Sequence, residues 1–560
     1  MRLAAPEYII LTFATYIFLN IIADRSVMAL KKQNFLKGSV ILMLSAAAAK
    51  LLGAIFRIPL TNMLGGAGMS CFSCAYTVFL PVYALTTAGI SSASARMTAE
   101  CRALGLDGDV QRIRRVSFIL FSAFGLAGSG AVILLAVPFS LWSCGSYEAV
   151  PAILMISPAV LFGCMTASER GYYEGLSNMY PTAVSQTIEG FIKAGAGIAL
   201  CVCAVHNGER LAAVIPWTDD TRSIAAAAGI LGVTLSSLGA VVFFAVLKLF
   251  QPGNTAGKPI KSRKSTASEL LRTSFPAGLS AVVTNLTAII DMWTIIACTQ
   301  IPDRLPAGVS SADYPQFVYG SFAGIALTIF NLVPSVTNML GKGVIPVITG
   351  AWAAGDGVSL RRGTQQALLT AAVLSVPCAA GLAVLAPQVL AFLFPERTAE
   401  AELCVMPVRL LMPGMVMLCL AYPVFGMLQS TGKPAAPLKI MLIGAGVKLA
   451  GNLLLVPAMG ADGAAAATTI CYAVILFSAL AAYFRQAGVR LDILPFAAVL
   501  YSGGMCMGAA YLAADLTSRG GAGALVQIVS AAAAGGMLYI VCLWLAAGRK
   551  TLNFRGVAGE

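Results

Sequence analysis

The residues of this chain whose types and spacing invite chemistry are ionisable side chains set inside long apolar stretches. Leu36 to Leu64, LKGSVILMLSAAAAKLLGAIFRIPLTNML, carries Lys50 and Arg57 in its apolar body. A cation at the centre of a membrane helix costs about 2.5–3.5 kcal/mol on insertion scales, so two facing lipid would cost roughly 5–7 kcal/mol. Seven residues make about two helical turns, which puts the two cations on nearly one side, roughly 10 Å apart along the axis. This spacing predicts a basic stripe on the wall of a cavity that receives an anion. Lys193, Asp291, Lys342 and Lys448 fall in other apolar runs, and Arg96 and Arg409 near the ends of theirs. For Lys193, Lys342 and Lys448 the alternative is a place near a helix end, with the ammonium reaching the interface. A cationic cavity suits a phosphate or pyrophosphate head group, Arg offering a bidentate fork and Lys a mobile point charge.

Apolar helices must position these groups. The chain is 58% hydrophobic and 11% charged, with a mean hydropathy of +0.83, which makes it an all-α, polytopic membrane protein. Apolar runs of about 20 residues recur to the end of the chain. They predict fourteen spans: 38–60, 70–94, 116–140, 150–168, 181–204, 224–247, 275–298, 318–349, 364–386, 405–428, 437–456, 464–484, 493–514 and 524–547. The net charge of +13 does not point to nucleic acid, because Lys and Arg collect in alternate loops as positive-inside retention requires. On that rule the loops holding Lys31, Lys32 and Lys37, Arg112, Arg114 and Arg115, Arg170, and Lys258 to Lys264 face the cytoplasm. Both termini of the fourteen-helix core then lie on the cytoplasmic side of the cell membrane.

Residues 1–30, with the short apolar run Tyr8 to Ala23 and no small-residue cleavage site, read as an N-terminal extension. It is an extra helix, an uncleaved leader, or a stretch upstream of a start near Met28. The stretch QPGNTAGKPIKSRKSTAS after the sixth span reads as a linker. The expected organisation is an N-lobe over 31–250, a basic cytoplasmic linker over 251–272, a C-lobe of helices 7–12 over 273–486, and two further helices with a cytoplasmic tail over 487–560. Two six-helix halves make a transporter of parallel repeats, with its substrate site between them near mid-membrane.

Soluble-type catalytic chemistry finds little to work with. The chain has one His, His206, and the Gly-Lys pairs at Lys342 and Lys433 are followed by Gly and Pro where a phosphate-binding loop needs Ser or Thr. Fourteen Cys are scattered through the spans, and the lone CxxC of Cys71 and Cys74 reads as packing, not as a metal or redox site. The expectation is no enzyme, no cofactor and no bound metal beyond a sodium ion.

The stretches KLLGAIFR (Lys50 to Arg57), LGGAGMSCFSCAYTVFLPVYALTTAGISSASARMTAE and above all RGYYEGLSNMYPTAVSQTIEG (Arg170 to Gly190) resemble the stage V sporulation protein B family of polysaccharide transporters. That family belongs to the multidrug, oligosaccharidyl-lipid and polysaccharide exporter superfamily. YGSFAGIALTIFNLVPSVTNMLGKGVIPVITGAW and LQSTGKPAAPLKIMLIGAGVKLAGNLLLVP extend the likeness, from about Lys31 to the twelfth span. The resemblance implies fourteen helices in two lobes and alternating access that flips an undecaprenyl-pyrophosphate-linked sugar outward, lipid II or a related glycan lipid. Related lipid II flippases turn cations of the first helix toward the pyrophosphate, and Lys50 and Arg57 match them; Arg96, Lys193 and Lys342 are the further candidates for the cavity. Where those relatives carry an Arg in the eighth helix, this chain has only Lys342, displaced toward its end. Some relatives hold sodium with an acid of the seventh helix and polar groups of the eleventh and twelfth, which Asp291, Asn452 and Thr468 or Thr469 resemble; Asp291 equally fits a partner that neutralises a cavity cation.

With no ATP site visible, the drive expected is the membrane potential or a coupled Na+ or H+. The partners expected are the lipid-linked oligosaccharide and membrane lipids, around a monomer. Two other readings are a multidrug exporter of the same superfamily, which wants an acidic, aromatic-lined cavity, and a membrane glycan polymerase or ligase, which wants a catalytic acid or Arg in a sizeable outer loop.

Overall fold

The computed structural model describes residues 35–548 apart from 88, 177, 209, 211–219, 251–261, 303–304, 307–308 and 434. The extension expected over 1–30, the first half of the expected linker (251–261) and the tail from 549 lie outside the described residues. Every described regular element is helical, the form in which an apolar segment satisfies its own backbone hydrogen bonds within lipid.

Helix α1 (Phe35–Thr87) takes in the first expected span and most of the second, and breaks at one residue, Gly65, with φ 65° and ψ −172°. A side chain there would be strained and would also meet Arg397 Nη1 at 2.8 Å. The helix restarts at Gly66, whose N–H donates to Glu400 Oε1 at 3.1 Å, so a carboxylate from a distant helix caps the new N-terminus. Then come α2 (Ile90–Ala103), α3 (Asp107–Cys144), α4 (Val150–Ile156), α5 (Pro158–Gly175), α6 (Tyr180–His206), α7 (Thr221–Leu249) and α8 (Arg263–Cys298). The expected span 318–349 is instead built of α9 (Tyr314–Ser321), a π-helical turn (Phe322–Ala326), α10 (Leu327–Phe330) and α11 (Leu332–Ala353). It bends by 48° at the break before Leu332. Six long helices complete the chain: α12 (Gly357–Leu393), α13 (Thr398–Ser430), α14 (Ala436–Met459), α15 (Ala461–Ala487), α16 (Leu494–Arg519) and α17 (Ala524–Gly548).

By length and hydropathy, eleven of the described helices can cross a membrane, or twelve with the bent pair taken as one span, against the fourteen expected. α1, 53 residues long, is one helix interrupted only at Gly65 and takes in the first expected span and most of the second, and α8, 36 residues long, takes in the expected span 275–298.

The chain divides into two compact units, one of the residues up to Leu64 with Cys71–Ile289, the other of Gly65–Ser70 with Ile290 onward. In the first, α6 packs along α7, and α5 against α2 and α3, over a core that includes Met97, Ile113, Phe121, Tyr173 and Phe244. In the second, α13 and α14 both pack on α15, and α12 on α13 and α16. Its core includes Val424, Met427, Ile440, Ile475 and Tyr483, with the Tyr483 hydroxyl 2.7 Å from Thr364 Oγ1. The Ala-rich start of α15 leaves room for close helix approach, the usual basis of packing in lipid, where apolar surface alone does not drive helices together. Large apolar side chains such as Leu512, Leu516, Tyr511 and Trp544 stay exposed along α16 and α17, as a lipid-facing surface requires.

Candidate functional site

In the second unit, α8 and α14 bring four polar side chains together inside an apolar interior. Lys448 Nζ donates to Asp291 Oδ2 at 2.6 Å. Asn452, one turn further along α14, donates from Nδ2 to Asp291 Oδ1 at 3.1 Å and to Thr294 Oγ1 at 2.8 Å. The Thr294 hydroxyl in turn donates to the Ile290 carbonyl at 2.6 Å. Lys448 is 3% exposed, Asp291 2%, and Asn452 and Thr294 0%. The orientation of the Asn452 amide follows from chemistry: an ionised carboxylate only accepts, so the NH2 must face Asp291. That leaves Asn452 Oδ1 buried without a hydrogen-bond partner among the described residues.

Asp291 is thus paired with a cation of another apolar helix, Lys448. The Lys448 ammonium is buried within the protein. Of the residues grouped with Asp291 from sequence, Asn452 joins it. The Thr468 hydroxyl donates instead to the Ala464 carbonyl at 2.7 Å, and that of Thr469 to the Leu410 carbonyl at 2.6 Å. Thr294 was not among the expected site residues. Its signal was available: Asp291 and Thr294 at i,i+3 and Lys448 and Asn452 at i,i+4 each share a helix face.

In the first unit, Lys193 of α6 lies over two rings of α1, its Nζ 5.7 Å from the Phe56 ring centre and 5.4 Å from that of Tyr76. Both are within cation–π range. Arg57, next to Phe56, is half-buried, as is Lys193. Arg96 lies exposed on the short helix α2. The side chains of Lys50 and Lys342 lie outside the described residues, although both positions are helical.

The RGYYEG stretch has a different role from the loop position that charge counting assigned to it. Arg114 lies inside α3 and Arg170 inside α5, not in solvated loops. Arg114 donates from Nη2 and Nε to Glu169 Oε2 at 2.7 and 3.0 Å and sits 4.3 Å above the Tyr172 ring. Arg170 donates to Ser185 Oγ at 2.9 Å and pairs with Glu189 at 2.9 Å. Glu174 accepts from Ser91 at 3.1 Å and from Thr182 at 3.2 Å. Between these charges, a Cβ on Gly171 would lie 2.5 Å from the Ser91 carbonyl oxygen, and one on Gly175 2.6 Å from that of Ala95. The motif thus joins α2, α3, α5 and α6, with glycines where α5 crosses α2 and ion pairs on either side. α5 runs on to Gly175, past the expected end at 168, because its charges find partners and do not need solvent.

Long apolar helices with lipid-facing surfaces and ion pairs buried between them define a multi-pass membrane protein. The chain belongs to the polysaccharide biosynthesis protein family, whose model matches residues 35–352; the MatE model matches residues 321–454. Stage V sporulation protein B of Bacillus subtilis (strain 168) is 24% identical over 319 residues, 57% of this chain and 58% of that protein. Lipid II flippase MurJ of the same organism is 24% identical over 536 residues, 91% of this chain and 95% of that protein. Among solved structures, lipid II flippase MurJ in an inward closed conformation shares the fold with a TM-score of 0.68 at 12% identity, over 92% of this chain and 100% of that one.

Proposed function

We propose that the protein translocates an undecaprenyl-pyrophosphate-linked oligosaccharide, lipid II or a related glycan lipid, across the cytoplasmic membrane by alternating access. The observation that carries this reading is that two apolar helices of the first unit each hold a half-buried cation, Arg57 on α1 and Lys193 on α6, the latter over Phe56 and Tyr76. A pyrophosphate is an anion that such cations bind. Arg57 supplies a bidentate fork and Lys193 a mobile ammonium, and Lys50, Arg96 and Lys342 are the further cations that the sequence offers for the same anion. The protein works as a monomer with the termini of its helical core in the cytoplasm, and no chemical step is made on the sugar. The relationship to a lipid II flippase over nearly the whole chain supports the same cargo class.

The test is flipping of a fluorescent lipid-linked sugar in proteoliposomes. A charge-assisted hydrogen bond contributes about 1.5–3 kcal/mol, so Arg57→Gln and Lys193→Gln should each lower transport by about 10- to 100-fold. Full activity in the double variant would overturn the reading. The MatE match over residues 321–454 favours a second reading, export of organic cations. It needs an available membrane carboxylate, and Asp291 is already bound to Lys448. Proton- or sodium-driven efflux of a cationic dye by the same proteoliposomes would select it.

A further inference from the structure

We infer that the Lys448 ammonium takes, as a part of the chain, the place that a coupling cation would take at the Asp291 carboxylate, so that this protein works without binding sodium. Both carboxylate oxygens already carry a donor, Oδ2 from Lys448 Nζ at 2.6 Å and Oδ1 from Asn452 Nδ2 at 3.1 Å. A hard cation is held by several oxygens turned toward it. Asn452 turns its nitrogen to Asp291, and the Thr294 oxygen is engaged with Asn452 and with the Ile290 carbonyl. Thr468 and Thr469 donate their hydroxyls to the carbonyls of Ala464 and Leu410, and among the described residues neither is hydrogen-bonded to Asp291. The one buried oxygen of the cluster left without a partner among the described residues, Asn452 Oδ1, is a single neutral ligand.

Charge points the same way as geometry. Asp291 and Lys448 together are neutral, and both are within 3% of full burial. A metal cation added beside them would leave a net positive charge in an apolar interior, where an uncompensated ion is strongly disfavoured. A tethered ammonium also differs in kind from a dissolved ion: it neutralises the acid without a concentration dependence and carries no ion across the membrane. The donor set that sequence placed around a sodium ion therefore does not fit one while Lys448 is present.

The experiment is radiosodium binding to the purified full-length protein in detergent, with melting temperatures recorded in sodium and in N-methylglucamine. The wild type should bind no sodium above background and should melt at the same temperature in both salts. Lys448→Met keeps the apolar stem, removes the ammonium and frees Asp291; it should gain saturable sodium binding and a sodium-dependent rise in Tm, both lost in Asp291→Asn/Lys448→Met. Sodium binding by the wild type that Asp291→Asn abolishes would overturn the inference, as would a folded Lys448→Met that gains none. Should Lys448→Met fail to fold, the wild-type measurement decides alone. Because the readout is ion binding, it stands apart from which lipid is carried and survives failure of the flipping assay.

Discussion

Breaking the Asp291–Lys448 pair from one side should be far more damaging than deleting it whole. At 2.6 Å and an effective dielectric of about 20, the Coulomb attraction is about 6 kcal/mol. Desolvating each ion costs several kcal/mol, so the net worth of the pair is small. Lys448→Met removes the attraction but leaves Asp291 buried at 2% exposure, for an expected loss of about 3–5 kcal/mol. Asp291→Asn strands Lys448 and should cost a similar amount. The double variant Asp291→Asn/Lys448→Met removes both charges and keeps a side-chain amide beside Asn452, so it should return to within about 1 kcal/mol of the wild type. For a cooperative unit of this size, roughly 2 °C of Tm accompanies each kcal/mol, so each single variant should melt roughly 6–10 °C lower. A thiol-reactive fluorophore reads this as a rise above the baseline set by the exposed Cys203, because Cys404, Cys419 and Cys471 are buried in the same unit and are shielded until it unfolds. Single variants that melt with the wild type, or losses that simply add in the double variant, would refute the account of a mutually neutralised pair.

Other perturbations test the remaining devices of the fold. Glu169→Gln leaves the Arg114 guanidinium buried without its carboxylate and should destabilise the protein by about 3–5 kcal/mol, whereas Arg102→Gln, at an exposed pair with Asp107, should change Tm little. Gly171→Val drives a branched side chain into the Ser91 carbonyl and should cost at least about 1–3 kcal/mol, read as a fall in detergent-extracted, monodisperse protein. Glu400→Gln keeps an acceptor for the Gly66 N–H but loses the charge facing the restarted helix, for a loss of about 0.3–1 kcal/mol in the same thermal assay. Asp356 caps α12, and bonds from the Ser359 hydroxyl and the Ser359 and Val358 amides hold its carboxyl below the ordinary value. A lowered folded-state value means the stabilisation is present above the ordinary carboxylate range and is lost as pH falls through the folded value. The Tm gap between wild type and Asp356→Asn should thus be full at neutral pH and close on acidification.

Much of the architecture is legible in local composition. A run of about 20 apolar residues has few fates other than a helix in lipid, and the expected spans fall mostly on described helix, with 70–94 crossing from α1 into α2, 150–168 from α4 into α5 and 318–349 the break at Asn331. What composition misreads is charge whose partner is remote. Arg114 and Arg170 look like loop residues because an unpaired arginine belongs in water, yet Glu169 and Glu189 let them stay inside. The break at Gly65 and the π-turn at Phe322 are equally hidden, since one conformational exception does not disturb the average hydropathy of its window.

The candidate site divides along the same line. Sequence alone determined that Lys193, Asp291 and Lys448 are ionisable groups in apolar helices and therefore need polar company. Only the tertiary structure decided what that company is: two aromatic rings of α1 for Lys193, and for Asp291 a lysine 157 positions away. The physical reason is that insertion energetics act on each helix by itself, and so are written in its composition, whereas the partner that offsets a buried charge is set by how helices distant in sequence pack side by side.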